Sequence, residues 1–394
     1  MNTKFLYMLS FVLLFITNSK AQENIDKVLL EIAKNNKSIN ANNQFLEASK
    51  LKYKTGLTLE NPKVEYEYLN GSSDVVGNQK EFYIVQSFDF PTAYLKKRQI
   101  SEKQIAQIHF KSTAYKQEIL LQAKQYCIEL IYLNKKQVEL KVRFLNADKL
   151  YKGYQKKLKN GDASMLDLNK AKLQLLMIEN EVRTNASLIN QFNQKLQEMN
   201  GGIPLNFSDL NYPLISNIPD FQSLISVLKG RDPVLKSFLK QQEINSKQVE
   251  LSKALGLPKM EAGYRSQELL GQKLQGVHLG ITLPLWENKN KVKHQKAAVV
   301  YSELQVDRHQ TAYYSQMRQL YTKYERLSSS LKDYKQLLAT SRNKILLDKA
   351  LKLGSISTIE YFMEISYFYN SIDKYLQLEK EYHQVIASLY KYKL

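Results

Sequence analysis

Two stretches of the chain alternate between apolar and polar side chains. From Lys63, Val64, Tyr66 and Tyr68 take one face while Lys63, Glu65 and Glu67 take the other. That period of two predicts a strand with one apolar and one polar face. Asn70-Gly71-Ser72-Ser73-Asp74 and Gly77-Asn78 mark a loop. Alternation returns with Phe82, Ile84, Phe88 and Phe90, interrupted by Gln86, and stops at Pro91. The two strands make an antiparallel hairpin. Beyond Pro258, Met260, Ala262 and Tyr264 alternate with Lys259, Glu261 and Arg265. After a loop at Leu269 to Gln272, Val277, Leu279, Ile281 and Leu283 alternate with His278, Gly280 and Thr282, up to Pro284. Strands are expected at about 62–69, 81–90, 258–266 and 276–285.

The rest of the chain follows helical periods. Ile25, Val28, Leu29 and Ile32 share one side of a helix expected to run to about Leu57. From Ala93 the pattern stays helical. Ile119, Ala123, Tyr126, Leu130, Leu133, Gln137, Leu140, Phe144 and Ala147 fall alternately four and three apart, a heptad seam. A second seam, after a corner at Gly161, includes Leu168, Ala171, Leu175, Ile178, Val182, Asn185, Ile189, Phe192, Leu196 and Met199. Each seam is broken once by an amide, Gln137 or Asn185. Two seamed helices joined by a short turn pack as an antiparallel hairpin. A third seam runs from Tyr313 through Met317, Tyr324, Leu327 and Leu338 to Ser341 and Ile345. Another corner follows at Gly354, then a helix to near Leu394.

The order helix, strand, strand, long helix, turn, long helix thus occurs twice. The two corners match: Gly161 precedes Asp167, and Gly354 precedes Glu360, at the same spacing. Glycine permits the left-handed backbone of a helix end, and an acid in the following turn favours the next helix dipole. The expected organisation is a signal segment at 1–21, a first repeat at 22–200, a linker at 201–222 and a second repeat at 223–394.

Targeting changes this picture. Lys4, the apolar run from Phe5 to Ile16 and the small residues Ser19 and Ala21 form a secretory signal, with cleavage expected after Ala21. Gln22 follows, not a cysteine that could carry a lipid. The net charge of +19, from 57 basic against 38 acidic residues, is dispersed along helices, and export argues against a nucleic-acid partner. Five histidines and the single Cys127 show no metal-ligand spacing, and no phosphate loop or nucleophile elbow is present, so neither a cofactor nor an enzyme is expected. No apolar run after the signal is long enough for a membrane-spanning helix, so entry into a membrane must use strands.

Four amphipathic strands cannot close a barrel, which takes about eight or more. A barrel would have to be pooled from several chains. With Asn61-Pro62 and Leu257-Pro258 at the strand starts, Phe90-Pro91 and Leu283-Pro284 at the strand ends, and the two Gly-x5-acid corners, the mature chain resembles the TolC-like outer-membrane efflux proteins. The resemblance implies a mainly α fold with a transmembrane β-barrel. In that family, homotrimers share a twelve-stranded barrel set in outer-membrane lipid, and long helical hairpins form a periplasmic tunnel. It implies a channel exporting small molecules or metal cations, working with a periplasmic adaptor (membrane fusion) protein and an inner-membrane RND-type pump. The short hairpins and compact C-terminus are more similar to the heavy-metal branch. Carried over, Gly161 and Gly354 are the corners where the adaptor docks, and Asp167 and Glu360 are tunnel-entrance acids. The chain departs from the family at Lys170 and Met363, where a gate acid would stand, and at Ile356, where an arginine would. The rival reading is a non-transporting periplasmic or surface coiled-coil protein with a structural or adhesive role. It accounts for the seams but not for the duplicated strand pairs.

Overall fold

The computed structural model describes residues 20–73, 75–214, 218–340 and 343–394. The expected signal segment lies outside these residues except at its last two positions, as does Ser341 of the third seam. In chain order the elements are α1 (Lys20–Asn35), α2 (Lys37–Tyr53), β1 (Lys63–Leu69), β2 (Gln79–Phe88), α3 (Pro91–Lys159) and α4 (Met165–Met199). There follow α5 (Phe221–Arg231), α6 (Pro233–Ala254), β3 (Lys259–Leu269), β4 (Gln272–Thr282), α7 (Lys291–Thr340), α8 (Asn343–Lys352) and α9 (Thr358–Leu389), then a 3-10 turn at Lys391–Lys393. Two compact units result, each drawing on both sequence halves. Among the described residues, one comprises 20–41, Tyr115–Arg231 and Tyr314–Leu394; the other comprises Asn42–Ala114 and Asp232–Tyr313.

The first unit is helical, and its core is the predicted seam. Ala123, Leu130, Leu133 and Leu140 of α3 are buried, as are Ala171, Ile178 and Leu196 of α4. The amides that interrupt the two seams meet each other. Asn185 Nδ2 donates to Gln137 Oε1 at 2.7 Å and to the Leu133 carbonyl at 3.0 Å. A polar pair inside an apolar seam fixes helix register at some cost in stability. Ile25, Val28, Leu29 and Ile32 of α1 join this core beside Cys127 and Phe207. The third seam fades towards its end: Leu327 is fully buried, but Ile345, expected to continue it, is exposed on α8.

The helix expected from Ile25 to about Leu57 is two helices. Asn36 separates them, because its Oδ1 accepts from the Ile39 amide at 3.0 Å and starts α2, while its Nδ2 donates to the Met199 carbonyl at 2.7 Å. A side chain that replaces helical backbone bonds in this way permits a corner without proline or glycine.

The second unit combines helical segments with the sheet. Its helices are joined by polar contacts: Gln107 Nε2 donates to Gln241 Oε1 at 2.9 Å, and Asn245 Nδ2 to the Ala298 carbonyl at 2.9 Å. All four strands form one antiparallel sheet in the order β1-β2-β3-β4. The hairpins expected separately from the two repeats are joined through β2 and β3, in register from Gln79 opposite Leu269 to Phe88 opposite Met260. Strand β4 begins at Gln272, earlier than the expected start near 276, and β3 extends to Leu269. The reason is a two-residue turn in which Leu270 (φ 52°) and Gly271 (φ 78°) both take left-handed backbone. That turn matches the twist of its flanking strands. The second hairpin is therefore shorter in chain but longer in strand, with 11 residues in each strand against 7 and 10 in the first.

Candidate functional site

The two corners of the first unit are built alike. Gly161 (φ 79°) and Gly354 (φ 71°) end α3 and α8 in left-handed backbone. The Asp162 amide returns to the Lys157 carbonyl at 2.8 Å, and the Ser355 amide to the Ala350 carbonyl at 2.9 Å, closing the helix ends. A serine then starts each next helix. Ser164 Oγ accepts from the Asp167 amide at 3.1 Å and donates to Asp167 Oδ2 at 2.6 Å. Ser357 Oγ accepts from the Glu360 amide at 3.2 Å, and the Ser357 amide donates to Glu360 Oε2 at 2.7 Å. Both sets are reciprocal capping boxes.

The candidate entrance acids thus have fixed local partners. The Ser164 hydroxyl holds the Asp167 carboxyl below the usual carboxylate range, with smaller help from the Ser164 amide, the Thr358 hydroxyl and Lys170. The Ser357 amide does the same for Glu360, followed by the Ser357 hydroxyl. Glu360 is exposed and Asp167 half-buried. The capping serines carry a sequence signal of their own, Ser-x-x-Asp and Ser-x-x-Glu after each corner glycine.

The corners are tied to the helices behind them. Tyr154 Oη of α3 lies 2.7 Å from Thr358 Oγ1, at the start of α9. Tyr361 of α9 donates to Asp348 Oδ1 of α8 at 2.8 Å, and burial, followed by that bond, pushes its phenol up. A groove of about 440 Å³ runs between α4 and α9, with Leu173, Met177, Ile359 and Met363 among its lining residues.

In the sheet of the second unit, register sorts the side chains by face. Val64, Ile84, Tyr264 and Val277 stand in one row across all four strands. The next row, on the other face, is Glu65, Tyr83, Arg265 and Gly276. The apolar face is uncovered: Val277, Leu279 and Ile281 of β4 are each at least 70% exposed. On the polar face Glu81 is buried, bonded to Gln79 and Tyr83 and paired with Arg265 at 3.1 Å. Strands β1 and β4 each have one unpaired edge among the described residues.

Among the described residues no helix is long and apolar enough to cross a membrane, and no group of three or more His, Cys, Asp or Glu could hold a metal. The histidines that the sequence left without partners sit in separate places. His309 Nε2 lies 2.6 Å from Asp232 Oδ2, and His383 stacks on Tyr212 at 4.1 Å. Burial, followed by the charge of Lys135, lowers His383 to about 3, so it stays neutral.

No protein-family model and no curated protein matches the chain. Solved structures do. The Campylobacter jejuni CmeC outer membrane channel matches with a TM-score of 0.72 at 14% identity, covering 94% of this chain and 85% of that one. The outer-membrane channel OprN matches at 0.79 and 12% identity, covering 94% and 89%. The outer membrane protein VceC from Vibrio cholerae matches at 0.74 and 12% identity, covering 95% of each. The chain has the TolC-like fold. At these identities the agreement is one of fold.

Proposed function

We propose that the chain is the outer-membrane channel of a tripartite efflux system, exporting small molecules or metal cations from the periplasm to the exterior. The observation that carries this reading is a four-stranded sheet with an uncovered apolar face and two open edges, in a chain of TolC-like fold. An open edge presents unpaired backbone groups, which lipid does not tolerate. Strands β1 and β4 run antiparallel, so β4 of one chain can pair with β1 of the next. Three chains give twelve strands with no edge left. The apolar face meets lipid and the polar face lines the lumen.

In this reading the signal segment is removed near Ala21, and the helical hairpins form the periplasmic tunnel. The loop around Ser72 and the turn at Leu270-Gly271 face the exterior. The corners at Gly161 and Gly354 receive the periplasmic adaptor, which links the channel to an RND-type inner-membrane pump. Asp167 and Glu360 ring the tunnel entrance.

The test is extraction of the outer-membrane fraction in mild detergent. A heat-modifiable oligomer that cross-links as a trimer and conducts in planar bilayers is expected. A stable, non-conducting monomer in the same extract would sink the proposal and favour a passive coiled-coil role. A tag inserted after Ser72 should be reachable on intact cells; labelling only after permeabilisation would reverse the topology.

A further inference from the structure

The uncovered apolar face does not stop where β4 does. Leu283 and Leu285, both exposed, continue the period of two set by Val277, Leu279 and Ile281, and Trp286 closes the run. Lysines come next: Lys289, Lys291, Lys293 and Lys296 are all exposed. Backbone and side-chain bonds fix this order in space. The Lys289 amide donates to the Trp286 carbonyl at 3.1 Å, so the indole and the first lysine stand at the two ends of one tight turn. Asn288 Nδ2 ties the turn to the Leu255 carbonyl at 2.7 Å.

The cations of the neighbouring helix are neutralised, and these are not. At the start of α3, Lys96 pairs with Glu250 at 2.7 Å and Lys97 with Asp89 at 2.8 Å. Beyond Trp286 the acid at hand is Glu287, and it reaches Lys291 at 3.7 Å. Among the described residues Lys289, Lys293 and Lys296 have no carboxylate partner. At the other end of the sheet Lys80 pairs with Glu268 at 3.8 Å, and β4 begins with a single lysine, Lys273. Three neighbouring ammonium groups repel one another unless anions come between them. Hydrocarbon-facing side chains lead directly into this cluster, so the anion it meets is one that sits where hydrocarbon ends. A phospholipid headgroup does. Lysine can lay its stem along acyl chains and hold its ammonium at that depth.

We infer that Lys289, Lys293 and Lys296, beside Trp286, form a binding surface for anionic phospholipid headgroups at one boundary of the bilayer. The inference rests on the reading that the apolar face of the sheet meets lipid. A zwitterionic headgroup neutralises its own phosphate. An anionic one leaves its charge to the lysines, which gather it at roughly fivefold local excess per lysine at low salt. The sheet thus selects its lipid at this end and not at the other.

Trp286 is the only tryptophan, so its fluorescence reads this boundary directly. The purified full-length oligomer is placed in mixed vesicles of phosphatidylcholine and phosphatidylglycerol, with bromine on one lipid or on the other. Brominated phosphatidylglycerol should quench Trp286 several-fold more effectively than brominated phosphatidylcholine. The preference should collapse at about 1 M salt, where charges are screened within about 3 Å. Lys289→Gln, Lys293→Gln and Lys296→Gln combined should abolish it, and the three arginine counterparts should keep it. Lys273→Gln, at the far end of the sheet, should leave it unchanged. Heat-modifiable migration checks assembly, and Lys289→Gln alone, expected to weaken the preference, replaces the triple variant if that does not assemble. Equal quenching by the two lipids, a preference that outlasts the lysines, or an equal loss in Lys273→Gln overturns the inference and leaves the sheet in the membrane. Quenching by neither lipid puts this strand end outside the bilayer, and both readings fall.

Discussion

Arg143 on α3 grips Asp373 on α9 with both terminal nitrogens, Nη1 to Oδ2 at 2.9 Å and Nη2 to Oδ1 at 2.7 Å. The arginine is 3% exposed, its guanidinium lies 4.5 Å from the Tyr369 ring, and Nη2 also reaches the Tyr369 carbonyl at 3.3 Å. A buried arginine so placed latches two long helices of the first unit. Asp373→Leu leaves that charge without its partner and should cost about 3 kcal/mol, the low end for breaking a buried pair, because Asp373 is itself 30% exposed. Arg143→Met combined with Asp373→Leu should recover most of the loss. Denaturant melts of the helical signal would show it; additive losses in the double variant would mean that the two residues act separately.

The corner glycines are held to their identity by backbone, not by crowding. No heavy atom lies within 4 Å of a Cβ added at Gly161 or Gly354. A β-branched residue in left-handed backbone costs about 1–2 kcal/mol, and asparagine costs less. Gly161→Val and Gly354→Val should impair efflux while the barrel still assembles, and Gly161→Asn should impair it less. Equal efflux in all three variants, measured by substrate retention in cells, would remove the corners from adaptor docking.

Asp167 and Glu360 should respond to acid as groups whose folded forms prefer to be charged. Their carboxyls lie below the ordinary values of 3.8 and 4.5. What they contribute to the first turns of α4 and α9 is therefore complete above those values. It is lost as pH falls through the lowered ones. Amide protection in these turns should begin to fall as pH drops below those ordinary values. Asp167→Asn with Glu360→Gln should lower that protection at neutral pH. If the acids also ring the entrance, the double variant should weaken block by divalent cations in planar bilayers. Unchanged block alongside lost protection would make them helix partners and nothing more.

Trp286 is the only tryptophan, and it is 82% exposed between the end of β4 and the start of α7. Tryptophan gathers where hydrocarbon gives way to water. In liposomes its fluorescence should shift to shorter wavelength and be quenched by lipids brominated near the headgroup. Emission like that of a solvated indole, without quenching, would place this strand end outside the bilayer boundary.

The strands were legible because alternation survives in Val64-Tyr66-Tyr68 and Val277-Leu279-Ile281, where one face is uncovered and the other polar. The seams were legible because burial follows a fixed period. What the sequence hid depends on partners distant in the chain. Asn36 reads as one more polar helix residue until Met199 is beside it. Gln137 and Asn185 read as two separate flaws until they pair. Arg143 lies in the mostly apolar run Val142-Arg143-Phe144-Leu145, which marks it as unusual but does not name Asp373. The Leu270-Gly271 turn is narrower than its sequence suggests because a leucine at positive φ is not announced by its type.

The pairing of β2 with β3 also has a consequence in time. The two strands come from opposite halves of the chain, so β2 has no second neighbour until most of the polypeptide has been synthesised. A lone two-stranded hairpin is marginal in water, and pairings between distant segments form slowly. During that interval Val64, Tyr66, Phe82 and Ile84 are aggregation-prone apolar side chains exposed to water. The sheet is therefore a late product of folding, and anything that shields the first hairpin until β3 arrives would govern how much folded protein a cell obtains.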